Sequence, residues 1–291
     1  MRNVGIGIVQ MQCTKKVKEN IEKADCMVRV AAGQGANVIL LPELFERNYF
    51  CQERNYSYYS YAKPLLENDA VCHFRNVAKE LQVVLPVSFY EKAGNVLYNS
   101  VAVIDADGEI LGVYRKTHIP DDHYYQEKFY FTPGNTGFPV WDTRFGKVGV
   151  GICWDQWFPE TARCLVLNGA EMLLYPTAIG SEPVLKCDSM PHWRRCMQGH
   201  AGSNVLPVAA ANRIGLETVE PDEENGGQNS SLLFYGSSFI TDETGELKKT
   251  ASRDQEEVLT AFFDLDETAE NRMNWGLFRD RRPHCYQEIT E

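Results

Sequence analysis

Three residues of this 291-residue chain, Glu43, Lys116 and Cys153, are of types that could together transfer an acyl group. A thiol near neutral pH is only a few per cent thiolate and needs a base to become fully nucleophilic. A partly buried carboxylate can be that base, because burial raises its pKa toward the working range. Attack on a carbonyl carbon leaves negative charge on the oxygen, which a fixed ammonium and a backbone N–H stabilise; losing one such donor costs about 3–4 kcal/mol. No serine–histidine–aspartate motif competes, and Gly5-Ile6-Gly7 lacks the third glycine of a phosphate-binding loop. His118, His123, His192 and His200 have no carboxylate or cysteine partners at metal-ligand spacing, so they read as structural, and no metal or other cofactor is expected.

Position strengthens the case. In α/β sheets, ligands bind at the carboxyl ends of strands. Glu43 follows Val38-Ile39-Leu40-Leu41-Pro42, Lys116 follows Gly112-Val113-Tyr114-Arg115, and Cys153 follows Val148-Gly149-Val150-Gly151-Ile152. A helix beginning near Pro159 would place unpaired N–H groups near the sulfur, which favours a thiolate. Each residue also has an ordinary reading: Cys153 as a small core hydrophobe, Glu43 as a loop carboxylate or helix cap, Lys116 as a surface lysine. Spacing alone does not put the three heads within hydrogen-bond reach.

The elements that would carry these groups come in two similar sets. In the first, Val4–Val9 is a buried strand, residues 20–32 an amphipathic helix, Val38–Glu43 a strand and residues 68–81 a helix. A strand over 83–89 and a hairpin of 100–104 with 110–114 complete it. Residues 44–63 form an aromatic loop. Val4–Val9 then matches Val148–Cys153, Gly35–Pro42 matches Gly169–Pro176, Leu85-Pro86-Val87 matches Leu206-Pro207-Val208, and Asp107–Ile110 matches Thr244–Leu247. Four matches in one order imply two related β-α-β-α-β-β units. Each would pack helices on one sheet face and bury the other face against its partner, giving an α/β fold of four layers, an α-β-β-α sandwich with an internal pseudo-two-fold repeat. Residues 1–275 are expected to form one domain, with 276–291 as a C-terminal extension. A helix is expected over 191–201. Residues 216–231, acidic and glycine-rich, read as an exposed flexible loop remote from the chemistry.

Composition narrows the setting. The net charge of −11 argues against nucleic acid or an anionic membrane as partner, and suits a cationic small molecule. No run of 18 apolar residues could span a bilayer. Nine cysteines without a Cys-x-x-Cys pair, and a strand pattern that begins at Val4, predict a cytoplasmic protein without structural disulfides.

Taken in order, Leu41-Pro42-Glu43-Leu44-Phe45, Tyr114-Arg115-Lys116-Thr117-His118 and Gly151-Ile152-Cys153-Trp154-Asp155 resemble the motifs of the nitrilase (carbon–nitrogen hydrolase) superfamily, and the likeness covers nearly the whole chain. The resemblance implies the same four-layer fold and association as dimers or larger homo-oligomers. It implies Glu43 as general base, Lys116 as oxyanion stabiliser and Cys153 as nucleophile. A second acid, Glu127 in Tyr125-Gln126-Glu127-Lys128-Phe129, would orient the lysine and substrate. Residues 153–160, 176–183 and 192–195 are similar to the branch that hydrolyses cationic ureides in polyamine biosynthesis. That implies release of a diamine, ammonia and carbon dioxide through a carbamoyl-cysteine. Trp154 would lend its backbone N–H to the oxyanion, Glu182 would meet the distal ammonium, and Tyr49 and Tyr125 would also touch substrate. An ω-amidase, a β-ureidopropionase-like enzyme or a true nitrilase is the alternative within the superfamily. A silent binding module would need a lost triad residue, and none is lost.

Overall fold

The computed structural model describes residues 1–289. Its first half runs β1 (Asn3–Gln12), α1 (Val17–Gly33), β2 (Val38–Leu40), α2 (Asp69–Leu81), β3 (Leu85–Ala93), β4 (Val96–Ile104) and β5 (Ile110–Arg115). The second runs β6 (Val140–Thr143), β7 (Gly146–Val150), α3 (Pro159–Leu167), β8 (Met172–Pro176), α4 (Met190–Asn204), β9 (Val208–Ala211), β10 (Arg213–Val219), β11 (Ser230–Tyr235), β12 (Phe239–Thr241) and β13 (Leu247–Thr250). β14 (Glu257–Asp264) and α5 (Leu265–Trp275) close the chain.

Alternation along the strands decides the layers. Val4, Ile6 and Ile8 of β1 face Val148, Val150 and Leu174 of β7 and β8 in a core between two sheets. Val9 and Ile39 point the other way, onto Val28 of α1 and Phe74 of α2. Leu173 and Val208 point onto Leu165 of α3 and Trp193 of α4. The result is the expected α-β-β-α sandwich. Burying an aliphatic side chain in such a core is worth about 1.5–3 kcal/mol, against 0–1 kcal/mol for a surface ion pair, so stability resides in these layers. The glycines of β1 and β7 let the helices pack close: a Cβ on Gly7 would sit 3.3 Å from that of Ala31 in α1, and one on Gly149 3.2 Å from that of Leu165 in α3.

One sheet is β6-β7-β8-β9-β12-β13. The other joins β14, β1 and β2 to β3-β4-β5 through a parallel bridge between Val38 and Val84. The repeat extends to single hydrogen bonds. Asp105 N–H donates to Glu109 O at 2.8 Å and Asp242 N–H to Glu246 O at 2.9 Å, while α2 and α4 both end at a left-handed residue, Gln82 and Val205. The axis passes near Glu43, whose N–H donates to the carbonyl of Thr177, its counterpart in the second unit, at 3.3 Å.

The structure differs from expectation in four places. The strand after α1 ends at Leu40, and Leu41–Glu43 continue without a ladder. α1 begins at Val17 rather than residue 20, and α4 extends from 190 to 204. Residues 216–231 are not a free loop: 216–219 and 230–231 pair across β10 and β11. There the pleat is inverted, with Glu217 buried and Leu216 exposed, because Glu217 has an ionic partner inside (Arg213, below). The intervening turn is pinned as well, Asn225 donating to Glu53 Oε2 at 2.6 Å. Beyond α5, Phe278 packs under Arg163 of α3; residues 290 and 291 of the expected extension lie outside the described residues. Among the described residues no helix is long and apolar enough to cross a membrane.

Candidate active site

β7 delivers Cys153 three residues past its last ladder position, and the backbone there turns left-handed (φ 41°). An α-helix does not follow directly; Cys153–Trp157 is a single 3-10 turn, and α3 starts at Pro159. Asp155 holds that turn. Its Oδ2 accepts from Ile152 N–H at 2.9 Å and Tyr114 Oη at 2.7 Å, and its Oδ1 accepts from His118 N–H at 2.9 Å. The fully buried carboxylate therefore ties the cysteine turn to the segment bearing Lys116. His118 has a structural place, its Nδ1 2.7 Å from Asp155 Oδ1 and its ring stacked 3.7 Å from Phe158.

Glu43, Lys116 and Glu127 meet at the buried end of the site, each with almost no exposed surface. Lys116 Nζ donates to Glu43 Oε1 at 2.8 Å and to Glu127 Oε2 at 2.6 Å. Asn99 Nδ2 donates to Glu43 Oε1 at 2.7 Å, and Tyr49 Oη to Glu127 Oε1 at 2.7 Å. Among the described residues Glu43 Oε2 has no hydrogen-bond partner, an expensive state for a buried carboxylate oxygen that leaves it free to take a proton. Burial opposes the charge of Lys116, yet Glu127 and Glu43 outweigh it and hold its pKa well above the ordinary lysine value. Burial pushes Glu127 up, against the pull of Lys116. The Cys153 thiol is raised well above its ordinary value by burial and the charge of Glu43, with Lys116 opposing; it donates to Ala178 O at 3.8 Å. The site sets a buried thiol beside a lysine whose ammonium bridges two buried glutamates.

Cys153 and Glu127 lie on the wall of a cavity of about 670 Å³. Pro120, Trp154, Trp157, Ile179 and Leu185 give it apolar sides, and Asp121, Asp122, Glu182 and Asp188 supply four carboxylates. Trp154 is 40% exposed, and its N–H is among the first-turn groups that lack a partner within the turn. Tyr125 lines the cavity and accepts from Gly180 N–H at 3.1 Å. Glu182 is half-buried there, which raises its pKa. Tyr49 is not on the cavity wall: it sits fully buried behind Glu127, its hydroxyl committed to that carboxylate, so the expectation that it touches substrate is replaced by a role in holding Glu127. Among the described residues no three His, Cys, Asp or Glu side chains gather as a metal site.

Sequence reasoning missed a second buried ion pair. Arg213 Nη2 donates to the carbonyls of Glu43 at 2.7 Å and Leu44 at 3.1 Å, and its Nη1 to Arg47 O at 3.2 Å and Glu217 Oε1 at 2.9 Å. Glu217 Oε2 also accepts from Tyr49 N–H at 2.5 Å. Glu217, inside the stretch read as a flexible loop, thus holds the Tyr49 N–H directly and the Glu43 main chain only through Arg213. One signal was available: Arg213 follows Val208–Ala211, a charged residue past an apolar strand, as Glu43 does.

The family model described as carbon-nitrogen hydrolase matches residues 5–273. The chain belongs to this family. Among carbon–nitrogen hydrolases, an N-carbamoylputrescine amidase of Oryza sativa subsp. japonica is 54% identical over 98% of this chain and 94% of its own. A citrullinase of Francisella tularensis is 51% identical over 100% of this chain and 99% of its own. The crystal structure of a carbon-nitrogen hydrolase from Helicobacter pylori G27 superposes with a TM-score of 0.90 at 38% identity, covering 99% of both chains.

Proposed function

We propose that this carbon–nitrogen hydrolase converts N-carbamoylputrescine to putrescine, ammonia and carbon dioxide. Support comes from the plant relative of that name, identical at 54% of positions, and from the site. Glu43 takes the thiol proton as Cys153 sulfur bonds to the carbamoyl carbon. Lys116 and the Trp154 N–H hold the oxyanion, with Glu127 fixing the ammonium. Collapse breaks the carbon–nitrogen bond to the terminal amino group, which leaves as ammonia with the proton from Glu43. Water, deprotonated by Glu43, then attacks the S-carbamoyl carbon and releases the thiol and an N-alkylcarbamic acid, which splits into putrescine and carbon dioxide.

The observation that carries the choice of substrate is the cavity's charge. Apolar walls suit a tetramethylene chain, and Asp121, Asp122 and Glu182 suit an ammonium at its far end, with Glu182 half-buried. The citrullinase relative supports a second reading with the same chemistry and an amino-acid end group; a carboxylate entering this rim meets like charge. Ammonia release is to be compared for N-carbamoylputrescine, citrulline, N-carbamoyl-β-alanine and an ω-amide. The expected order puts N-carbamoylputrescine first by kcat/KM; a carboxylate-ended compound in first place would overturn it. The same reading makes the protein a cytoplasmic homo-oligomer with residues 1–275 as one domain. Exposed Met273 and Trp275 on α5 supply apolar surface for association, which sedimentation of the purified protein tests.

A further inference from the structure

We propose that the Asp188–Arg253 ion pair beside the cavity selects the substrate's distal group, Asp188 excluding carboxylate-ended ureides by occupying an arginine that could receive them. The inference rests on the reading above that the substrate is a ureide with a charged far end.

Asp188 lines the cavity, and Arg253, from the segment between β13 and β14, reaches it through both terminal nitrogens at 2.9 Å each. The guanidinium also lies over the Tyr235 ring, 5.3 Å from its centroid, and Tyr235 Oη is 3.1 Å from Ser189 Oγ, next to Asp188 in the chain. The arginine is thereby held beside the mouth by a fork and an aromatic face, poised rather than buried: Arg253 and Asp188 are 50% and 49% exposed. A bidentate arginine–carboxylate contact is what a distal carboxylate would need, and Asp188 already makes it. With that charge cancelled, Asp121, Asp122 and Glu182 dominate the rim and favour an ammonium. Specificity achieved by removing the wrong ligand's counter-ion is a difference of affinities, and it leaves the catalytic cluster untouched.

The pair predicts opposite effects from its two members. Asp188→Asn frees the guanidinium, so KM for N-carbamoylputrescine rises about two- to fivefold while kcat/KM for citrulline rises by a similar factor, the range of exposed charge interactions. Arg253→Gln frees the carboxylate, so KM for N-carbamoylputrescine falls and citrulline is handled less well. Where citrulline turnover is too slow to follow, its inhibition constant against N-carbamoylputrescine is read instead. If the pair merely braces the 182–189 loop, both variants shift the preference in the same direction or leave it unmoved, and either result overturns the proposal. A parent enzyme that releases no ammonia from N-carbamoylputrescine would instead overturn the substrate reading, so the two failures are distinguishable.

Discussion

At Cys153 burial and the charge of Glu43 keep the sulfur protonated, while the neighbouring ammonium favours its anion. Under the proposed mechanism the thiolate forms as substrate arrives, its proton passing to Glu43 Oε2. Cys153→Ala should therefore abolish ammonia release while the near-ultraviolet spectrum and melting temperature stay close to the parent's. Substantial turnover in that variant would exclude the covalent route. Lys116 differs in kind, because its ammonium is bonded to both Glu43 and Glu127. Removing it from this buried position leaves two uncompensated carboxylates, so Lys116→Ala should lose about 10²–10³-fold in kcat and also fold less stably. A kcat near that of the parent would remove Lys116 from oxyanion binding.

The elements position these groups through contacts that sequence spacing cannot report. Arg213 on β10 fastens the main chain of Glu43 and Leu44 and is itself balanced by Glu217. An ammonium has three donors in a different geometry, so Arg213→Lys should destabilise the fold by about 3 kcal/mol in urea melts and lower kcat more than it raises KM. Equal stability and kcat would mean the clamp is dispensable. Glu46, in the loop after β2, is pushed up to about 7 by burial from an ordinary 4.5, with Asn68 opposing through its amide. The folded chain thus keeps this proton to higher pH than the unfolded one. Stability is greatest below the unfolded value and falls as pH rises through the folded one, by on the order of 3 kcal/mol. Glu46→Gln should flatten the melting-temperature profile between about pH 5 and 7; an unchanged slope would assign the titration elsewhere. Glu43, Lys116 and Cys153 stood out in the sequence because each follows an apolar strand run, where α/β sheets carry their chemistry, and the structure brings Glu43 and Lys116 into contact. Arg213, Asn99 and Asp155 were not, since their partners lie far away in sequence and nothing local marks a buried polar group as paired. Residues 216–231 were read as loop from their acidic, glycine-rich composition, and the buried Glu217 hid the strand signal by reversing the usual inside–outside alternation.

For the molecule as a whole, the four short matches between halves sufficed to give the layers, because two sheets with one helix-covered face each have one economical way to bury the other. The repeat did not reveal that the halves exchange material: β14, late in the chain, pairs along β1 from Asn3 to Gln10 and completes the first sheet. Residues 1–136 carry Glu43, Lys116 and Glu127, while Cys153 and the Arg213 clamp come from beyond the Asn135–Gly137 connection, which is exposed at both ends. A nick there should yield two inert polypeptides that recover ammonia release only when refolded together, assayed with each piece alone as the control; activity in a lone piece would contradict the shared centre. Covalent continuity across that link is then a matter of convenience, and the catalyst is at heart a complex between two unequal siblings.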